Sequence, residues 1–160
     1  MDEKQLREYI IRPGLTSCGI YSESAEELLI LTCAQESRLG HYIKQIKGPA
    51  MGIFQMEPFT YNAILDYLKL RQSDLLKKIL QICYYSAPPP PTSLIHNLKY
   101  AAIMCRVHYM RFSEPLPEPE NILGLAQYWK KYYNSEHGKG TVEEAVLNYR
   151  NLVDPEDIKF

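Results

Sequence analysis

The spacing of apolar residues along this chain predicts one helix after another, interrupted by short polar or proline-containing segments. In residues 24–37, Leu28 and Leu31 follow one helical stripe, and Leu29 and Cys33 follow the neighbouring stripe. A helix that is apolar on two adjoining stripes is largely buried in a folded protein. We therefore predict a core helix over these residues.

Capping residues, glycines and prolines set the predicted helix boundaries. The predicted helices cover residues 2–11, 24–37, a segment that begins at Pro58, 73–84, 93–112, 120–134 and 141–153. Capping-box signatures mark two starts, at Ser24–Glu27 and Thr141–Glu144, and Arg12–Gly14 marks the end of the first helix. Residues 40–56 lack a helical period, and Pro49 with the nearby glycines predicts a loop or small hairpin there. We expect a mainly α fold of about six to eight helices.

Four consecutive prolines, residues 88–91, form the one low-complexity tract. Such a run adopts a stiff extended conformation without internal hydrogen bonds. It also resembles the ligands of proline-reading domains. Because the tract stands between two predicted helices, we favour a connector over a docking motif.

Length, composition and charge fit one domain over residues 1–160, since 46% apolar residues can build a sizeable core. Eighteen basic and nineteen acidic side chains leave a formal charge of -1, so we do not expect a nucleic acid partner. The cysteines are widely spaced and form no Cys-x-x-Cys pair. We expect Cys18, Cys33, Cys83 and Cys105 to be free thiols, mostly buried.

The first residues, Met1–Glu8, lack the apolar core of a signal peptide. No stretch approaches the roughly 20 apolar residues of a membrane-spanning helix. We therefore expect no signal peptide and no membrane span.

Few residues offer catalytic chemistry. The histidines and aspartates show no metal-site spacing, and the nucleophile-elbow, phosphate-loop and dinucleotide motifs are absent, so we expect neither a metal nor a cofactor. Glu36 differs from the other acids because it follows an apolar helical stretch. Burial of a carboxyl favours its neutral form, so Glu36 could carry a proton near neutral pH, as a general acid must.

The motif that begins at Glu36 resembles the soluble lytic transglycosylase family. Glu36-Ser37 is followed, after a short gap, by Gly52-Ile53-Phe54-Gln55-Met56 and then by Pro58-Phe59-Thr60. The family pattern has Glu-Ser, a similar gap, Gly-Leu-Met-Gln-x-Met and Pro-x-Thr. Asn97–Ala101 resembles a weaker segment that begins a bracing helix, and Ala145–Asn148 resembles the closing element. The resemblance covers residues 24–150.

This resemblance implies a lysozyme-like domain that cleaves the β-1,4 bond between N-acetylmuramic acid and N-acetylglucosamine in peptidoglycan. The product would be a 1,6-anhydro sugar, and Glu36 would be the single general acid and base. The residues implied for binding the glycan strand are Ser37, Gly52, Phe54, Gln55, Met56, Asn148 and Tyr149. Among these, Gly52 would let the backbone approach the ligand, and Ser37 would orient Glu36 or the nearby backbone.

Two positions depart from the family pattern. Leu147 stands where the family has a tyrosine, and Tyr149 follows the asparagine instead, so the tyrosine that supports the glutamate stays open. Glu57 occupies a position that is commonly apolar or neutral. A carboxylate there suits a helix start, a contact at the cleft rim or a second acid.

Two other readings remain open. In a hydrolytic muramidase, Glu57 or Asp66 would activate water. In a catalytically idle domain, the same fold would bind glycan or serve a structural role. The aromatic group Tyr128, Trp129 and Tyr132–Tyr133 fits a core stripe better than a groove lining.

The expected substrate lies in the bacterial cell wall. A lone catalytic domain without a signal peptide suits a bacteriophage particle component or lysis enzyme that acts in the periplasm. A bacterial protein delivered by a secretion machine is the alternative. Other phage or secretion-machine proteins are then candidate partners.

Overall fold

Eight helices and no β-strand make up the described part of the chain, residues 1–134 and 138–154 of a computed structural model. Helix α1 joins Glu3–Gln5, a π-helical segment Leu6–Ile11, and Arg12–Ser17. The other helices are α2 (Glu23–Ser37), α3 (Pro58–Arg71), α4 (Ser73–Ile82), α5 (Ser93–His96), α6 (Leu98–Met110), α7 (Ile122–Trp129, continued by the π-helical Lys130–Asn134) and α8 (Val142–Val153). These helices account for 64% of the described residues. The prediction of a mainly α fold is confirmed. The remainder of the predicted 1–160 domain, residues 135–137 and 155–160, lies outside the described residues.

Helix α2 is the central element of the fold. All residues from Leu28 to Ala34 are buried, and α2 packs against α1, α6, α7 and α8. Helix α6 is buried almost as completely, from Tyr100 to Cys105 and again from Val107 to Tyr109. The described residues share one hydrophobic core and form a single compact domain. The predicted core helix is confirmed, and Glu36 lies in its last turn.

The start of α2 differs from the predicted capping box. Ser22 is the N-cap, and its hydroxyl accepts a hydrogen bond from the Ala25 amide at 3.0 Å. Glu27, the carboxylate of the predicted box, accepts hydrogen bonds from the Arg7 guanidinium of α1 at 2.8 and 2.9 Å instead of capping the helix, and Glu26 accepts two from Arg12. Burial alone would raise the pKa of Glu26, but the hydrogen bonds from Arg12 and Tyr21 outweigh it and hold the pKa below its ordinary value.

Helix α1 continues through Pro13, so the predicted end at Arg12–Gly14 is wrong. Proline lacks an N–H and is tolerated where the regular hydrogen-bond ladder is interrupted, and the π-helical turn before Pro13 supplies that interruption. Gly14 is buried against α6, where a Cβ would lie 3.2 Å from Lys99 Cγ. The glycine therefore allows close packing of two helices.

The predicted helix over 93–112 is divided at Asn97. The Asn97 side chain accepts a hydrogen bond from the Tyr100 amide at 3.0 Å and so caps α6, as the resemblance implies for this asparagine. The preceding prolines connect α4 to α5, and Pro89 is buried. Its carbonyl accepts a 2.6 Å hydrogen bond from the Tyr61 hydroxyl of α3, which holds the connector against the core.

The second predicted capping box is confirmed at α8. The Thr141 hydroxyl accepts from the Glu144 amide, and the Glu144 carboxylate accepts from the Thr141 amide, at 3.1 and 3.2 Å. The four cysteines are free and buried, as predicted. None of the helices in the described ranges combines the length and apolar character needed to cross a membrane.

The segment between α2 and α3 is a compact loop held by two isolated antiparallel bridges, Lys44 with Met51 and Met51 with Met56. Ser37 ties this loop to α2. Its buried hydroxyl donates to the Ile53 carbonyl at 2.5 Å and accepts from the Gly40 amide at 2.9 Å. The loop therefore folds back onto the end of α2, beside Glu36.

Gly52 turns the loop at a position where no side chain fits. Its φ is +77°, and a Cβ would lie 2.3 Å from the Leu94 carbonyl oxygen of α5. Gly19 has a similar φ of +70°, but a Cβ there would meet nothing within 4 Å. Comparing substitutions at the two glycines therefore separates the free-energy cost of the backbone conformation from that of the contact with Leu94.

We predict that Gly52→Ala destabilises the protein more than the matched control Gly19→Ala. The left-handed backbone costs alanine about 1–2 kcal/mol at either position, and overpacking at residue 52 adds about 1–3 kcal/mol. Urea unfolding of both variants measures the difference. Equal losses would show that the loop can move away from Leu94 without cost.

Candidate active site

Glu36 lies in a cleft of about 650 Å³ between the end of α2, the loop before α3 and the π-helical end of α7. Most of the lining groups are polar. The lining residues are Gln35, Glu36, Gln45, Ala50, Gln55, Met56, Glu57, Thr60, His108, Tyr133, Asn134, Gly138, Lys139 and Gly140.

One hydrogen bond in the described part of the chain holds the Glu36 carboxylate. The indole Nε1 of Trp129 donates to Glu36 Oε1 at 2.9 Å. Trp129 is fully buried, so its aromatic ring belongs to the core while its N–H contacts the carboxyl that lines the cleft. Burial raises the pKa of Glu36 from 4.5 to about 7, and the bond from Trp129 opposes this rise only in part. At neutral pH Glu36 therefore exchanges between carboxylic acid and carboxylate.

Neutral groups surround Glu36 on the core side. Burial raises the pKa of Cys33 to about 12 and raises the pKa values of Cys105, Tyr109 and Tyr133 well above their ordinary values. All four therefore stay protonated near neutral pH. Because none of these groups is a cation, burial is the dominant influence on the pKa of the Glu36 carboxyl.

His108 lines the cleft as a neutral imidazole. Burial lowers its pKa to about 4. Its Nδ1 lies 2.8 Å from Arg111 Nη2, which can only donate, so Nδ1 accepts and Nε2 carries the proton toward the Tyr132 carbonyl at 2.6 Å. Both ring nitrogens are thus occupied, and His108 is not a second base beside Glu36.

Gln55, which the resemblance implies for glycan binding, lines the cleft. Its φ is 47°, in the left-handed region that non-glycine residues rarely adopt. The side-chain Nε2 donates to the Gly52 carbonyl at 2.8 Å, which fixes the amide in the turn. Met56 also lines the cleft and is otherwise buried. Strained backbone of this kind is concentrated at functional sites.

Four residues predicted to bind substrate do not line the cleft. Ser37 and Phe54 are buried in the core, and Ser37 serves the loop anchor described above. The close approach at Gly52 is to the Leu94 carbonyl, not to a ligand. Tyr149 is buried at the other end of α2, where its hydroxyl donates to Glu27. All four residues therefore serve the packing of the fold, and the bond from Ser37 to the Ile53 carbonyl agrees with the backbone-orienting role expected of it.

Asn148 reaches the cleft indirectly. Its Nδ2 donates to Gln35 Oε1 at 2.7 Å, and Gln35 lines the cleft next to Glu36. Leu147, at the position of the expected tyrosine, is exposed. Trp129 from α7 supplies the hydrogen bond to the glutamate instead. The aromatic pattern predicted a core position for Trp129, which is correct for its ring but does not reveal that its N–H contacts Glu36.

The segment 138–140 forms one edge of the cleft and is held by Lys130. The Lys130 ammonium donates to the carbonyls of Gly138 and Gly140 at 2.9 and 2.7 Å and to Asn134 Oδ1 at 2.7 Å. Gly140 packs on the Trp129 ring so closely that a Cβ would lie 2.8 Å from Cη2. Nothing in the sequence pattern indicated these lining residues, because the contacts of Lys130 that hold them reach as far as ten positions along the chain.

A smaller recess of about 150 Å³ adjoins the cleft. Glu36, Gln45 and Gln55 line both spaces, and the second is completed by Tyr42, Lys44 and Ile46. Glu36 therefore lies where two recesses meet.

Within the described ranges, no three histidine, cysteine, aspartate or glutamate side chains are grouped closely enough to hold a metal ion. Comparison of the chain with protein-family models, with curated proteins and with solved structures finds no match.

We predict that Glu36→Gln removes a pH dependence from folding stability. Below pH 4.5 Glu36 is protonated in both the folded and the unfolded chain. Between pH 4.5 and about 7 only the folded chain keeps the proton, so stability falls as pH rises. The full shift corresponds to roughly 3 kcal/mol. Burial lowers the pKa of His108 to about 4, which makes stability rise with pH between about 4 and 6.5 in both proteins. Denaturant unfolding from pH 4 to 8 should therefore show the decline due to Glu36 as a loss of wild-type stability relative to Glu36→Gln.

The matched control is Glu57→Gln, because Glu57 is exposed on the same cleft. This variant should follow the pH profile of the wild type. Identical pH profiles for the wild type and Glu36→Gln would contradict the raised pKa.

Proposed function

We propose that this protein is a peptidoglycan lytic transglycosylase with a lysozyme-like arrangement of helices. The observation that carries the proposal is a carboxyl with a pKa of about 7, held by one indole N–H in an open polar cleft. A general acid is most effective when its pKa lies near the working pH. The motif around Glu36 and Gln55, which resembles that of the family, supports the same assignment.

In the first step, protonated Glu36 donates its proton to the glycosidic oxygen between N-acetylmuramic acid and N-acetylglucosamine. The bond from C1 to that oxygen breaks, and N-acetylglucosamine leaves with the proton. The acetamido group of the muramic acid ring stabilises the positive charge at C1, as in substrate-assisted glycosidases. Glu36 is left as a carboxylate.

In the second step, the Glu36 carboxylate accepts the proton of the C6 hydroxyl. The C6 oxygen forms a bond to C1 and closes the 1,6-anhydro ring. Glu36 is protonated again and ready for another cycle. A pKa near 7 suits both steps, because the same group must first donate and then accept a proton.

The environment of Glu36 favours a single acid over a pair of carboxylates. Two-carboxylate glycosidases place the second group roughly 5–9.5 Å away, and an ionised neighbour at the short end of that range would raise the pKa of the acid. The pKa of Glu36 is raised by burial, without a contribution from another carboxylate. Asp66 is exposed and does not line the cleft. Glu57 does line it, so Glu57 is the residue that a hydrolytic muramidase would use.

Amide groups in the cleft support a polar glycan as substrate. Gln35, Gln45, Gln55 and Asn134 all line it, and their side chains can pair with sugar hydroxyls and acetamido groups. With peptidoglycan as substrate, the protein would act in the bacterial periplasm or cell wall. Delivery by a phage particle, a lysis system or a secretion machine is part of this proposal.

We predict that digestion of peptidoglycan yields 1,6-anhydro products, each lighter by one water than the matching hydrolysis product. Mass spectrometry of a digest in ¹⁸O-labelled water measures both the mass and the source of oxygen. The expected products carry no label, because the C6 hydroxyl attacks C1. Labelled reducing ends would instead identify the protein as a hydrolytic muramidase. The absence of any product would indicate a catalytically idle domain.

We further predict that Glu36→Gln lowers activity by a factor on the order of 10² to 10⁴, as loss of a general acid and base does. Glu57→Gln should keep most of the activity, and the exposed control Asp66→Asn should keep all of it. A loss with Glu57→Gln as large as with Glu36→Gln would favour the two-carboxylate alternative. Thermal melting of each variant distinguishes lost chemistry from lost fold.

A further inference from the structure

The hydrogen bond to Glu36 distinguishes the two oxygens of its carboxylate. Oε1 accepts from Trp129 Nε1 at 2.9 Å, whereas Oε2 receives no hydrogen bond from any residue that the structure describes. An indole N–H can only donate. Oε1 is therefore the oxygen held by the protein, and Oε2 is the one that remains for exchange of a proton.

Trp129 itself is fixed on several sides. Its ring is fully buried in the core, and Gly140 lies against Cη2 closely enough that no side chain would fit there. Lys130, the next residue, holds the Gly140 carbonyl at 2.7 Å. The indole therefore cannot turn away from Glu36 without moving the cleft edge. A rigid donor of this kind fixes the direction in which the carboxyl faces.

We propose that Trp129 is the positioning residue of Glu36: its N–H holds Oε1 and directs Oε2 to the substrate oxygen. The inference rests on the proposed function for the identity of that substrate, but the pairing of Trp129 with Glu36 does not depend on it. Trp129 also favours the carboxylate form of Glu36, the form that must accept the C6 proton. Loss of the indole would therefore impair both orientation and the second step.

The chain contains a single tryptophan, so one indole resonance reports on this bond. We expect the Trp129 Nε1–H signal in a ¹⁵N–¹H spectrum to shift with pH, with a midpoint near 7, as Glu36 loses its proton. Cys33, Cys105 and Tyr133 keep their protons over this range, and His108 stays neutral. Lys139 and Glu57 also line the cleft and do not contact the indole among the described hydrogen bonds.

The control for this titration is Glu36→Gln, in which the indole signal should not shift between pH 5 and 8. A wild-type signal that does not titrate, or one that titrates equally in Glu36→Gln, would overturn the pairing. Neither measurement needs a substitution of the buried tryptophan or any substrate. A clean titration without anhydro products would leave the pairing standing and remove the proposed function.

A second variant tests the effect on catalysis. Trp129→Phe should lower kcat by about ten- to a hundredfold with little change in KM. A misdirected Glu36 carboxyl slows the chemical step but does not change substrate binding in the ground state. The limb of the pH–rate profile set by Glu36 should move to higher pH, because the bond that favoured the carboxylate is gone.

Tyr100→Phe, which removes a buried hydroxyl bonded to Tyr61, is the control for general destabilisation. Equal effects of both variants on kcat and on the pH profile would contradict a positioning role. If Trp129→Phe does not fold, the indole titration of the wild type still tests the pairing on which the positioning role depends.

Discussion

The hydrogen bond from Trp129 to Glu36 lets one buried carboxyl both hold a proton near pH 7 and exist as a carboxylate. A carboxyl needs removal from water to hold a proton near pH 7, yet a buried carboxylate without a partner is costly. One neutral donor at 2.9 Å stabilises the ionised form without adding a positive charge, which would lower the pKa much further. The result is a group that can be stable in either protonation state.

The rest of the fold holds this pair in place. Helix α2 carries Glu36 through the centre of the core, and its first turn is bound to α1 by ion pairs of Arg7 and Arg12 with Glu26 and Glu27. At its other end, the Ser37 hydroxyl holds the loop that contains Gln55. Trp129 lies on α7, and Lys130 holds the cleft edge, residues 138–140, against the Trp129 ring. Glu36 is thus fixed from both ends of its helix and from the facing wall.

Local sequence patterns predicted the elements but not the contacts between them. The burial of α2, the loop over 40–56, the cap at Thr141 and the place of Gln55 follow from periodicity, turn residues and motif spacing. The interruption at Asn97 and the continuation through Pro13 depend on a side-chain cap and a π-helical turn, which periodicity does not reveal. The roles of Gly52 and Tyr149 were misjudged because each is decided by a neighbour distant in sequence. Trp129 shows the same limit, since its ring fits a core pattern while its N–H meets a residue 93 positions away.

The protonation state of Glu36 can be measured directly. In protein labelled with ¹³C at the glutamate carboxyl, the resonance absent from Glu36→Gln identifies Glu36, and its chemical shift reports ionisation as pH is varied. We expect a midpoint near 7. A midpoint near 4.5 would contradict the central claim, because Glu36 would then be ionised at neutral pH and could not donate a proton to a glycosidic bond.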